Sequence, residues 1–265
     1  IHPVLQSVAK RFRGRVLVLG LLDDIHLVGP QDQVAAAFAF LRQLAATHGQ
    51  RLSAGKCLAW SPSGSYADSI RALASGNDAD VRIAADGFDV LGLPTGPANG
   101  LSAALLARTM DPAHRGRPNF AQKLDALRRL AATSVTAKDP LHKRDGSAAA
   151  LLLLRICALP TCTYMMRCLP PAVTAATAAA VDGAVRTFMS ELASPVGTEP
   201  MPIAAGSLPA AIMGLPLRAG GLGLEQAEKV APLAHVAAFV ANAPTIVRMY
   251  SEQEEGPCEI GRAHV

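Results

Sequence analysis

RGRVLVLGLLDDIHLVGP, Arg13 to Pro30, is the stretch from which the rest of the chain is read. Two short β-prone runs, Arg15 to Leu22 and Ile25 to Val28, flank Asp23 and Asp24, and Gly29-Pro30 ends the second run. Aliphatic runs on either side of a polar pair predict a β-hairpin with two carboxylates at its tip. Adjacent like charges in a turn repel, and neither can pair within it. A divalent cation relieves that conflict, because Mg²⁺ prefers hard oxygen ligands and draws on few carboxylates plus substrate phosphates. Most Asp-Asp pairs are ordinary exposed turn residues, so the dipeptide takes its meaning from what surrounds it.

Working outward, Ile1 to Phe12 reads as the end of a helix, with Val4, Leu5 and Val8 on one side and Lys10, Arg11 and Arg13 at its C-terminal end. From Asp32 to His48, Val34, Ala37, Phe38, Leu41 and Leu44 recur at three- and four-residue spacing and Gly49 follows, which predicts a helix and its C-cap. RLSAGKCLAW, Arg51 to Trp60, alternates as a strand would. A short helix is expected over Tyr66 to Ala74, and a strand with its turn in FDVLGLPTG, Phe88 to Gly96. After Asn99 the β character stops. Helices are expected at 99–110, 119–135, 147–158, 161–168 and 171–193, divided by Pro, Gly or polar clusters. Pro171 falls in a first turn, where its missing N–H costs nothing. SPVGTEPMPIAAGS, Ser194 to Ser207, reads as a linker to a last helix near 224–242.

About half the residues are apolar and only 4% are aromatic, with alanine and leucine dominant, a composition suited to helix packing. The fold class expected is α+β and helix-dominated. Charge is uneven: Leu101 to Gly146 carries nine Lys/Arg against four Asp/Glu, whereas Glu225 to Val265 carries six acids against three bases. A basic segment suits a phosphate-backbone partner, and equally a solvated helix face. The cysteines at 57, 157, 162, 168 and 258 include no CxxC pair. Buried free thiols and a reducing, intracellular compartment, nucleus or cytoplasm, are the expectation. The most apolar run, Ala148 to Leu154, meets Arg155 and then Pro160, short of the ~20 residues that span a bilayer. No membrane partner is expected.

The order of these segments resembles reverse transcriptases of the non-LTR retrotransposon type. LLDDIHLVGP, VAAAFAFLRQLAATHG and RLSAGKCLAW are similar to motifs C and D of that family. Leu21 stands where the family usually has Tyr or Phe, a departure that bears on packing under the primer end and on nucleotide choice. DVLGLPTG resembles motif E, the primer grip. LLLLRICALPTCTYMMRCLPP and LPLRAGGLGLEQAEKVAP resemble two segments downstream of the polymerase core. The likeness runs from about Ile1 to Asn242, and it implies a chain cut upstream, with motifs A and B belonging before Ile1.

The resemblance implies a partial polymerase palm over 1–98, a helical thumb-like bundle over 99–193 and a C-terminal linker and helix over 194–258. Residues 259–265, EIGRAHV, match the in-frame translation of a common sequencing adapter and are set aside. The implied activity is RNA-directed DNA polymerisation by two metal ions, Mg²⁺ or Mn²⁺, on an RNA template, a DNA primer and a deoxynucleotide. Asp23 would be the principal metal ligand and Asp24 the accessory one. Lys56 would sit near the leaving pyrophosphate as acid or electrostatic stabiliser, although a lysine at a strand start is as readily a solvated side chain. Gly92 and Gly96 would admit the primer backbone. Arg108, Arg115, Arg117, Lys123, Lys138, His142, Lys143 and Arg144 would grip phosphates through the thumb-like helices. Two other readings stand beside it. One is a non-catalytic element remnant or helical nucleic-acid-binding protein; the other is an alanine-rich adaptor with an incidental acidic turn.

Overall fold

A computed structural model describes residues 3–21, 24–75, 81–85, 87–113, 115, 118–135, 142–194 and 198–251. Helix predominates over strand, and the coarse class is α+β. The described residues fall into two compact units. One comprises the chain up to Asp89, Thr95–Pro97 and the helix end from Asn242; the other comprises Val90–Pro94 and Ala98–Ala241.

The first unit is built around the hairpin. Helix α1 (Pro3–Arg11) leads through a turn at Gly14 into β1 (Leu17–Leu21), which pairs antiparallel with β2 (Asp24–Val28). The register sets Val18 opposite Leu27 and Gly20 opposite Ile25 on one face, and Leu19 opposite His26 and Leu21 opposite Asp24 on the other. Val18, Ile25 and Leu27 pack on a core of Val4, Val8, Phe12, Val16, Ala37 and Leu41, drawn from α1, its exit turn and α2 (Gln31–Thr47). Burying a side chain of this size contributes about 1.5–3 kcal/mol. The hairpin lies close enough to α1 that a Cβ on Gly20 would stand 2.6 Å from Leu5 Cδ1. Gly29 meets a harder limit, since its Cβ would stand 2.5 Å from the Arg15 carbonyl oxygen.

Gln31, in the first turn of α2, holds the loop after residue 60. Its Nε2 donates to Ser65 O (2.9 Å) and its Oε1 accepts from Ala67 N (2.6 Å). The Ser69 hydroxyl donates to Asp32 Oδ1 at 2.6 Å, which ties α2 to the next short helix. The expected strand over 51–60 is mostly absent. Ser53 and Gly55 turn the chain into a 3-10 turn at Ala54–Lys56, and only Leu58–Ala59 (β3) is extended. After α3 (Asp68–Leu73), β3 pairs in parallel with β4 (Arg82–Ile83), in a sheet separate from the hairpin. β5 (Phe88–Val90) and β6 (Leu93–Thr95) form a second hairpin where one strand and a turn were expected.

The second unit is helical: α4 (Ala98–Met110), α5 (Phe120–Val135), α6 (His142–Leu153), α7 (Leu159–Cys168), α8 (Pro171–Ala193), α9 (Leu208–Gly214) and α10 (Ala227–Ser251) as far as Ala241. Asn119 starts α5 with a reciprocal cap, its Oδ1 accepting from Gln122 N and its own N–H donating to Gln122 Oε1. Its Nδ2 also donates to the Arg108 and Asp111 carbonyls at the end of α4. Between α6 and α7 the sequence implies a break, whereas the helix continues through a π-turn, Leu154–Ala158. Pro160 has no N–H and its ring crowds the carbonyl four residues earlier, so the preceding turn widens and Leu159 N–H bonds to Leu154 O. The residues from Gly146 to Cys168 are therefore long and apolar enough to cross a membrane by length and composition. Leu154, Ala158, Cys162 and Met166 along this stretch are buried in this unit's core.

That core joins Phe120, Leu124 and Leu127 of α5 to Val181, Val185 and Phe188 of α8. Met213, Leu224, Ala227 and Ala231 belong to it as well, so the chain beyond Ser207 returns to the same core. α9, within that return, was not foreseen; Ser207 caps it, its hydroxyl accepting from Ala210 N. α10 is also long and apolar, and Leu233, Val236, Phe239, Val240 and Val247 along it are exposed. The expectation of buried thiols holds for Cys162, whose pKa burial pushes up to about 12, but Cys157 and Cys168 are exposed.

Asp182, only 5% exposed, caps α10 from the middle of α8, accepting from Ala227 N at 2.7 Å and Glu228 N at 3.1 Å. Burial raises its pKa above 3.8, against the two N–H bonds, which lower it. A folded-state pKa above the unfolded value means that the folded chain binds the extra proton. Stability from this group therefore falls as pH rises from 3.8 through the raised value. Urea unfolding across the acid range is expected to show this slope, and Asp182→Asn is expected to flatten it.

Candidate metal and nucleic-acid site

Asp24 is the first residue of β2, directly opposite Leu21, and its side chain is exposed. The hairpin thus carries Asp24 in the last pair of its ladder. Asp23 lies outside the described residues. Among the described residues Asp24 has no hydrogen-bond or ion-pair partner, so its carboxylate oxygens are open to water or a cation. Such a ligand fits Mg²⁺, which keeps several waters and takes one or two carboxylates. The described residues hold no cluster of three His, Cys, Asp or Glu that would cage an ion unaided. His26 follows Asp24 by two residues on the same face, and its Nε2 is buried without a hydrogen-bond partner. Sequence reading passed over it, though period-two alternation places it there.

Lys56 closes the 3-10 turn, its N–H bonded to Ser53 O at 2.9 Å, and its side chain is exposed. It belongs to the same unit as Asp24, and no bond joins the two.

The tip of the second hairpin is a two-residue turn with positive φ at both Leu91 (50°) and Gly92 (83°), the geometry that matches strand twist. Gly92 is exposed and nothing lies within 4 Å of an added Cβ, so its role is conformational. Gly96 lies against Gly87 (φ 104°), where a Cβ would stand 2.7 Å from Gly96 Cα. Leu91 is the one non-glycine residue with positive φ among those described, and it is 48% exposed. The Tyr164 hydroxyl of α7 donates to its carbonyl at 3.2 Å. No sequence signal marks Tyr164 for that role.

The basic residues differ in availability. Arg115 is exposed. Lys123, half-buried on α5, donates from Nζ to Thr161 Oγ1 at 2.7 Å, and Arg108 is half-buried on α4 with interactions of its own. His142, Lys143 and Arg144 open α6, and their side chains are not described. Arg117 and Lys138 lie outside the described residues. Two further arginines of the basic segment are neutralised internally, Arg128 by Glu191 (2.7 Å) and Arg129 by Asp125.

Comparison of the chain with family models, curated proteins and solved structures finds no match.

A left-handed conformation costs a branched residue roughly 1–2 kcal/mol, whereas asparagine tolerates it. Leu91→Asn is therefore expected to stabilise the chain by about 1 kcal/mol, read as an increase in the midpoint of chemical unfolding.

Proposed function

We propose that this chain is the palm and thumb portion of a reverse transcriptase, contributing one side of a two-metal site for adding deoxynucleotides to a primer on an RNA template. The observation that carries the reading is the first hairpin. Its last ladder pair is Leu21 with Asp24, Asp24 has no protein partner among the described residues, and α2 and the turn bearing Lys56 follow in the chain. Asp23 and Asp24 act as oxygen ligands to Mg²⁺ or Mn²⁺, with Asp23 the principal ligand, and Lys56 stabilises the leaving pyrophosphate. The second hairpin, with Gly92 at its turn, supports the primer strand, and the basic helical segment contacts phosphates without reading sequence.

In-line phosphoryl transfer needs both ions fixed by carboxylates from more than one strand, and a misplacement of about 1 Å can cost ~100-fold. The 265-residue chain alone is expected not to extend a primer in Mg²⁺. A longer chain carrying upstream motifs A and B is expected to do so, and Asp23→Ala in it to abolish extension. Robust extension by the present chain, or an active Asp23→Ala variant of the longer one, would refute the assignment. Binding of a primed RNA–DNA duplex should weaken with a log–log salt slope of about −0.7 to −0.9 per phosphate contact. Salt-insensitive binding would exclude a phosphate grip, and salt-sensitive binding without extension in the longer chain would favour a non-catalytic nucleic-acid-binding remnant.

A further inference from the structure

The helical unit holds a cavity of about 250 Å³ beside the π-turn. Leu159, Pro160, Met166 and Val230 give it apolar walls, and Arg155 and Glu225 are the charged residues that line it. Arg155 is placed by two features. It sits within the widened π-turn that Pro160 imposes, and Gly223 of the RAGGLGL loop presses against it. Gly223 has φ 64°, and a Cβ there would stand 3.1 Å from Arg155 Nε and 3.2 Å from its Cζ, so a side chain at 223 would displace the guanidinium.

The half-buried guanidinium is thus packed against backbone, yet no hydrogen bond or ion pair engages it among the described residues. Glu225 lines the same cavity without pairing with it. A planar cation with five donors and no acceptor is a receptor for an anion, best a phosphate or carboxylate. The volume falls below the ~300–1,000 Å³ of ordinary ligand pockets, which leaves room for one ring-sized group. The exposed Glu225 carboxylate disfavours a second anion beside the first. One flat, weakly polar ring joined to one anion fits that volume, those apolar walls and the Arg155 guanidinium.

We propose that this cavity receives a single unpaired nucleotide of a single-stranded segment, its base between the apolar walls and its phosphate on Arg155. A base stacked in a duplex cannot enter, so the site distinguishes an unpaired strand from a paired one. The proposal rests on the polymerase reading and adds to it a place for nucleic acid beyond the duplex.

Fluorescence anisotropy with a labelled RNA–DNA duplex, blunt or carrying a short single-stranded overhang, tests it. The chain is expected to bind the overhang form about tenfold more tightly. Arg155→Ala is expected to remove most of that gain while leaving blunt-duplex affinity unchanged. Should Arg155→Ala melt early by circular dichroism, Val230→Trp, which fills the cavity and leaves the guanidinium in place, is expected to have the same effect. A folded variant of either kind that keeps the overhang preference overturns the proposal. Equal binding of the two duplexes by the unmodified chain also overturns it, and leaves the polymerase reading standing. Binding of neither duplex removes both. Displacement of the overhang duplex by polyglutamate at matching charge concentration, with Arg155 required, would assign the cavity to an acidic protein segment instead.

Discussion

A buried carboxylate organises the helical unit. Asp182 sits in the middle of α8 and accepts the first two N–H groups of α10, satisfying orphan donors that would otherwise lie unpaired beside the core. The contact spans forty-odd residues of chain and brings the RAGGLGL loop back over the π-turn. Gly221 then fits where a Cβ would strike the Leu215 carbonyl, and Gly223 fits against Arg155. One hydrogen-bonded anion in an apolar interior thus sets where the loop runs, and the loop in turn shapes the cavity. The negative charge also lies at the positive end of the helix dipole, which helps offset the cost of its burial.

The first unit relies on shape more than on charge. Its hairpin is held by aliphatic packing from α1 and α2, and the closeness of that packing is set by Gly20 and Gly29. The polar bonds of Gln31 and Asp32 then anchor the following loop to the start of α2. Among the described residues the Asp24 side chain is free of protein partners while its backbone is fixed in the ladder. That combination suits the proposed metal-binding role, because a positioned carboxylate that is not already bonded can be desolvated by an ion.

Helices were legible wherever apolar spacing and Pro or Gly punctuation agreed. The stripe Phe120, Leu124, Leu127 and the stop before Pro171 both reappear within a residue or two of where spacing put them. The hairpin was legible because its alternation matches its register. The segment over 51–60 was misread because alternation in ten residues containing Ser53 and Gly55 fits a turn as well as a strand. Pro160 read as a break, yet a long helix packed on both sides absorbs a proline by widening one turn. Asp182, Tyr164 and Arg155 carried no signal, since what each does depends on a residue at least 45 positions away in the chain. The chemistry at the acidic tip was read by resemblance, and the cavity could be found only once the loop was folded over it.

The first hairpin is a ribbon of two strands, and among the described residues neither outer edge pairs with a third. Such edges carry rows of unpaired N–H and C=O groups that can template the addition of a foreign strand, which is the usual route to aggregation. Here β2 begins at a charged residue and ends at Gly29-Pro30, while Arg13 and Arg15 flank the start of β1. Charge and proline at strand ends discourage edge-to-edge growth. The Asp24 carboxylate therefore has a consequence apart from any ligand: it discourages a foreign strand from adding to the ribbon that carries it.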